Sequence, residues 1–127
     1  MENFDSISTD PRITRALVEQ HINSDRFGDL LLDEYRCIAT GGSTGQRGLF
    51  VYDHDSWNIT AANQMRMQRL LGITPQMRGL GIGALSPLHL SYRFHAEYRA
   101  SRPGAPTLFV TTPIEEIVAE LNAYQPD

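Results

Sequence analysis

Thr40-Gly41-Gly42-Ser43-Thr44-Gly45-Gln46-Arg47-Gly48 lies between two short apolar runs, Arg36 to Ala39 and Leu49 to Tyr52, and its reading decides the fold. Leu49-Phe50-Val51-Tyr52 is β-branched and aromatic, and both runs suit a pleated, half-buried surface, so both are expected as strands. The loop turns the chain back from the first into the second. Glycine lets backbone approach a ligand closely, while hydroxyls and exposed N–H groups donate to phosphate oxygens. A phosphate-holding loop is the expectation.

Working outward toward the N-terminus, residues 1–34 read as a helical lead-in. Thr14 is placed to cap a helix reaching Ile22, with Ala16, Leu17, Val18, His21 and Ile22 as a mixed face. A turn at 23–28 and the apolar Leu30, Leu31 and Leu32 then lead into the first strand. Residues 35–53 are strand, loop and strand.

Beyond the second strand, 54–127 read as helix, strand, helix, strand and helix. Asp53 to Ser56 offer caps for a helix from Trp57 to Leu71, whose core face is expected from Ile59, Ala62, Met65 or Met67, and Leu70 or Leu71. Gly72 ends it in a left-handed cap. An extended run, Met77 to Ala84, precedes Ser86 as N-cap and Pro87 in the first turn of a helix to about Ala100. Arg102-Pro103-Gly104 is a turn, Thr107 to Val110 a strand, and Thr112-Pro113-Ile114-Glu115 a capping box opening a helix through Tyr124, which Pro126 stops. This pattern predicts an α/β domain of alternating strands and helices around a mostly parallel sheet.

The 127 residues fit one domain, and a hydrophobic content of 41% with 20% charged residues is that of a soluble globular chain. No apolar run approaches the roughly 20 residues of a membrane helix. The acidic start Met1-Glu2-Asn3-Phe4-Asp5 has no secretory pattern, so a cytoplasmic location is expected. A net charge of −4 disfavours nucleic acid as a partner. Arg66 and Arg69, and Arg93, Arg99 and Arg102, are interleaved with apolar residues and read as solvated helix faces. Cys37 stands alone in an apolar run and is expected in the core; His21, His54, His89 and His95 are scattered, and no metal is assigned to them.

Two glycine clusters compete for a nucleotide. A Walker loop needs Lys and Ser or Thr after its last glycine, and a helix to follow, whereas Gly45 is followed by Gln46 and Arg47 and then a strand. Gly79-Leu80-Gly81-Ile82-Gly83 lacks the third glycine spacing of a dinucleotide fold, so close packing of a strand accounts better for it. His89 is placed just beyond the carboxyl end of a strand, where open α/β sheets bind ligands, although a structural histidine is the commoner outcome. Asp53, Asp55, Glu115 and Glu116 sit at caps, where carboxylates are expected without a catalytic role. No catalytic residue is assigned.

With these elements in place, Ala39 to Trp57 resembles the signature region of the adenylate-forming (AMP-binding) ligases, in the branch of phenylacetate–coenzyme A ligase and capsule-biosynthesis adenylyltransferase-like proteins. Thr40, Gly42, Ser43, Thr44 and Gly45 match the family's Thr-Ser-Gly-Ser/Thr-Thr-Gly, with Gly41 replacing the customary Ser. Ser86 to Ser91 and Pro113 to Asp127 are also similar to that group. The resemblance implies that a small-molecule carboxylic acid is activated by ATP and Mg to an acyl-adenylate, then passed to the thiol of coenzyme A. It implies that Thr40, Gly42, Ser43, Thr44 and Gly45 hold the phosphates and that His89 lies near the acyl group.

Gly48 stands where many such enzymes carry Lys, leaving Arg47 as the nearest cation. Family members are several times longer, so the chain is expected to be an internal fragment of the N-terminal domain, inactive alone and prone to self-association through exposed sheet edges. A stand-alone nucleotide or anion-binding module without catalysis is the alternative expectation.

Overall fold

A computed structural model describes residues 3–41, 47–98 and 106–127. The chain divides into two compact units, Met1–Trp57 and Asn58–Asp127. Five helices and four strands are found among the described residues: α1 (Phe4–Ile7), α2 (Arg15–Ile22), β1 (Arg36–Ala39), β2 (Leu49–Tyr52), α3 (His54–Leu70), β3 (Gly81–Gly83), α4 (Leu90–Tyr98), β4 (Thr107–Phe109) and α5 (Ile114–Tyr124).

The first unit is built on the expected hairpin. β1 and β2 pair antiparallel, with Arg36 opposite Tyr52 and Ala39 opposite Leu49. Cys37, Ile38, Ala39 and Leu49 are buried there, joined by Ile13, Leu31, and Val18 and Ile22 from one face of α2. Thr14 caps α2 as its sequence position implies, its hydroxyl accepting from the Leu17 amide at 3.3 Å. The carboxylate of Asp5 in α1, a helix absent from the sequence expectations, accepts from the Arg15 amide at 2.6 Å, satisfying a second donor at that end. Trp57 is fully buried, edge-on to Tyr52 at 5.6 Å between ring centroids, and the Arg36 guanidinium stands 5.2 Å from its ring centre.

Leu30 to Leu32 form a tight reversal before β1. Leu31 bridges Tyr35, and both Leu32 (φ 54°) and Asp33 (φ 57°) adopt left-handed backbone. Such a conformation costs a residue with a Cβ about 1–2 kcal/mol. A cluster of side chains ties this reversal to the N-terminal segment: Arg12 lies 2.6 Å from Asp10 and 3.0 Å from Glu34, and the Tyr35 hydroxyl donates to Asp10 at 2.6 Å.

In the second unit β3 and β4 pair in parallel, with Gly81 opposite Thr107 and Gly83 opposite Phe109. The described strands thus make one antiparallel and one parallel pair, in a chain of mixed helix and strand. The glycine alternation before α4 has the packing origin expected of it. A Cβ on Gly81 would come within 2.7 Å of the His95 ring, and one on Gly83 would reach Ser91 at 3.9 Å. Ser91 and His95 stand i, i+4 on α4, so that face of the helix rides on the glycine face of the strand. At the far end of the unit, Arg78 and Asp127 bond reciprocally: the Arg78 amide donates to the Asp127 carboxylate at 2.7 Å and the Asp127 amide to the Arg78 carbonyl at 3.2 Å.

Several sequence expectations are corrected. α3 begins at His54 and not Trp57, because the Asp53 carboxylate accepts from the Ser56 amide at 2.7 Å and caps the helix earlier. α4 begins at Leu90 and not after Ser86; the Ser86 hydroxyl accepts from the Leu88 amide and closes a separate turn. The capping box at Thr112 does not form. Its hydroxyl accepts instead from the Phe109 amide at 3.2 Å, and Pro113 takes the N-cap position without a side-chain bond.

The expected core face of α3 is also not buried. Trp57 and Ala61 are its buried residues, whereas Ile59, Met65, Met67 and Leu70 are exposed. Among the described residues of the second unit only Ala61 and Arg93 are buried, and Ile114 and Val118 of α5 lie open to solvent. A unit with so little interior draws weak support from apolar burial.

Candidate functional site

The loop that the sequence reads as phosphate-holding is anchored by its two ends. The Thr40 amide donates to the Gly48 carbonyl at 2.9 Å, and the Gly48 amide donates to the Thr40 hydroxyl oxygen at 2.7 Å. One residue pair therefore closes the hairpin with a main-chain bond and a side-chain bond. The fit around Gly48 is close: a Cβ there would lie 3.3 Å from both the Thr40 side chain and the Phe50 ring. Gly41, by contrast, has open space where a side chain would be, and Arg47 is exposed. Gly42, Ser43, Thr44 and Gly45 lie outside the described residues.

Thr40 thus has a structural task that the sequence reading did not assign. Its oxygen accepts from the main chain, while a hydroxyl keeps one proton to donate. The dual demand explains a residue with both a hydroxyl and a backbone N–H at this point. Behind the loop, Ala39, Ile38 and Cys37 are buried, so the strand that carries Thr40 is fixed in the first unit's core.

His89 does not occupy a strand terminus directly. It lies in the turn between β3 and α4, its amide donating to the Ser86 carbonyl at 2.9 Å and its carbonyl accepting from the Arg93 amide at 3.1 Å. The side chain of buried Arg93 reaches back to the same turn, its Nε donating to the Pro87 carbonyl at 3.0 Å. Half-buried His89 is consequently held by main-chain bonds in a braced turn.

A different histidine borders a cavity. About 400 Å³ of space opens in the second unit near the amino ends of β3 and β4. Gly81 and Thr107 border it from the strands, Gln64 and Gln68 from α3, and Phe94 and His95 from α4. Phe94 and Tyr98 stack with ring centroids 5.6 Å apart and an interplanar angle of 27°. The sequence reading treated His95 as one of four scattered histidines. The signal that places it was present in two parts, the alternating glycines of 79–83 and the i, i+4 spacing of Ser91 and His95.

Electrostatic shifts concentrate away from both places. The Arg12 guanidinium, with help from the Tyr35 hydroxyl, holds the Asp10 carboxyl well below the usual carboxylate range. Asp10 in turn raises the Tyr35 phenol above its ordinary value, because the neutral phenol donates a hydrogen bond to the carboxylate that ionisation would lose, and because a phenolate would then face that carboxylate. The Ser56 hydroxyl and amide lower Asp53, as expected of a helix cap. No group of three or more His, Cys, Asp or Glu side chains among the described residues is arranged to hold a metal ion. No helix among them is long and apolar enough to cross a membrane.

Comparison of the chain with protein-family models, curated proteins and solved structures returns no match.

Proposed function

We propose that this chain contributes the ATP-phosphate-holding loop of an adenylate-forming ligase, an enzyme that activates a small-molecule carboxylic acid with ATP and Mg and passes the acyl group to coenzyme A. The observation that carries the reading is the pair of hydrogen bonds between Thr40 and Gly48, which closes the signature loop on a buried strand. The two bonds hold Thr40 and Gly48, on either side of the loop, in place, and donors held in place stabilise developing charge most effectively. The small residues next to Thr40 in sequence, with the hydroxyls of Ser43 and Thr44, supply the donors.

Thr40, Ser43 and Thr44 would donate hydroxyl bonds to the β and γ phosphates, and Gly42 and Gly45 their amides. The chain contains no lysine, its eleven basic residues all being arginine, so Arg47 is the cation nearest this loop in sequence. Bound Mg would neutralise the phosphates. The chain's own part is then to bind and orient the ATP tail, and the remaining chemistry belongs to other parts of such an enzyme.

This reading extends to the fold. The parallel pairing of β3 and β4 would suit a larger, mostly parallel sheet. The exposed apolar residues of α3 and α5 support a unit completed by further structure, or by self-association when alone.

Titration calorimetry with MgATP and with magnesium pyrophosphate tests the proposal. Saturable binding of both is expected, weakened about 10-fold or more by the Ser43→Ala, Thr44→Ala double variant, since hydrogen bonds to charged groups contribute about 1.5–3 kcal/mol each. Failure of either ligand to bind, or an unchanged affinity in the variant, would overturn it. Binding of inorganic phosphate as tight as that of pyrophosphate would favour a simple anion-binding module.

A further inference from the structure

The cavity of the second unit has a chemistry of its own, and it stands wholly on residues between Ala61 and Thr107. Among the described residues, none of its lining side chains is Asp, Glu, Lys or Arg. This described lining therefore offers a ligand's charge no carboxylate, ammonium or guanidinium partner. Its apolar surface is aromatic and sulfur-bearing: Phe94 and Tyr98 are already stacked on each other, and Met65 faces the same space. Stacked rings and a thioether favour an aromatic guest.

The polar contribution is made of neutral groups that both donate and accept. Gln64 and Gln68 stand i, i+4 on α3, and both line the cavity. Their amides offer paired donors and acceptors to one edge of a flat molecule. His95 lies against Gly81, where an added methyl group would come within 2.7 Å of its ring. The volume of about 400 Å³ lies within the range of small-molecule sites.

We infer that this cavity is a binding site for an uncharged, planar aromatic or heteroaromatic small molecule, held by the Phe94 and Tyr98 rings and hydrogen-bonded along one edge by Gln64 or Gln68. The site is independent of the phosphate loop, and its ligand need not be the acid or the nucleotide of the proposed reaction.

The test is titration of the full chain with indole, and separately with benzoate, followed by amide and imidazole NMR shifts. Indole is expected to give saturable shifts centred on Gly81, His95 and Thr107, with benzoate binding about tenfold more weakly because the described lining gives its carboxylate no ammonium or guanidinium partner. Gly81→Ala should weaken indole binding about tenfold, since the new methyl drives the His95 ring from its seat. Met65→Glu, at a half-exposed position that does not support the fold, should weaken it similarly by placing a charge at the rim. Ser43→Ala with Thr44→Ala should leave indole binding unchanged, which separates this site from the phosphate loop. Absence of saturable indole shifts, equal binding of benzoate, or full affinity in both cavity variants would overturn the assignment.

Discussion

Thr40 and Gly48 bond each other twice, the Thr40 amide to the Gly48 carbonyl at 2.9 Å and the Gly48 amide to the Thr40 hydroxyl at 2.7 Å. The second bond replaces a main-chain acceptor by a side chain at the point where the ladder of β1 and β2 ends. Thr40→Val preserves the shape and removes that acceptor. Because the site is exposed and water can replace the lost partner, the expected cost is about 0.5–1 kcal/mol in urea denaturation. Hydrogen exchange should show the Gly48 amide losing protection, with Thr40→Ser restoring it.

Trp57 is the chain's one tryptophan and is fully buried. Trp57→Ala should destabilise the first unit by about 3–5 kcal/mol, enough to unfold a marginal unit, whereas Trp57→Phe keeps an aromatic edge for Tyr52 and should cost less. Circular dichroism melts check both. In the native protein the same residue is a fluorescence reporter for the unit that carries the loop.

Gly81 and Gly83 share a strand face but not the same clearance. A methyl at Gly81 would meet the His95 ring at 2.7 Å, whereas one at Gly83 would rest 3.9 Å from the Ser91 hydroxyl oxygen. Gly81→Ala is therefore expected to displace the exposed His95 ring at a cost of about 1 kcal/mol or less, and Gly83→Ala to be tolerated without moving it. Chemical denaturation of the two variants, with the His95 ring resonances as a local probe, distinguishes them.

Asp10 has a depressed folded-state pKa, so its contribution is present above the ordinary carboxylate value of about 3.9 and is lost as pH falls toward its lower folded value. Stability should decline on acidification through and below that region. Asp10→Asn should lower stability at neutral pH and flatten the acid limb of a melting-temperature profile. The same variant should bring the Tyr35 phenol down toward its ordinary value in an ultraviolet titration, since Asp10 is the group that raises it.

Ile114 and Val118 lie on α5, 64% and 48% exposed, so a polar replacement there disturbs no interior. The Ile114→Glu, Val118→Glu variant should remain as helical as the parent and sediment with less self-association. An unchanged sedimentation profile in a self-associating parent would place the sticky surface elsewhere.

The sequence by itself determined the local elements. The bounds of β1 and β2 follow from their β-branched and aromatic content against a glycine-rich turn, and α2 follows from Thr14 and the i, i+4 pair Val18 and Ile22. The close approach at Gly81 was also legible, because alternating glycines leave one strand face bare. These features depend on neighbours a few residues away, where backbone sterics and capping geometry act directly.

Only the tertiary structure decided which apolar residues are covered and which side chains meet. Periodicity assigned Ile59, Met65 and Leu70 of α3 to a core, but burial needs an opposing surface, and the described residues of the second unit supply little of one. Thr112 competed for two local acceptor roles, and the Phe109 amide won, which spacing alone does not reveal. His95 rather than His89 borders the cavity because α4 begins at Leu90 and thereby sets which helix face meets the glycines of β3. A one-residue change in helix phase rotates a side chain by about 100°, so such pairings emerge only when elements pack.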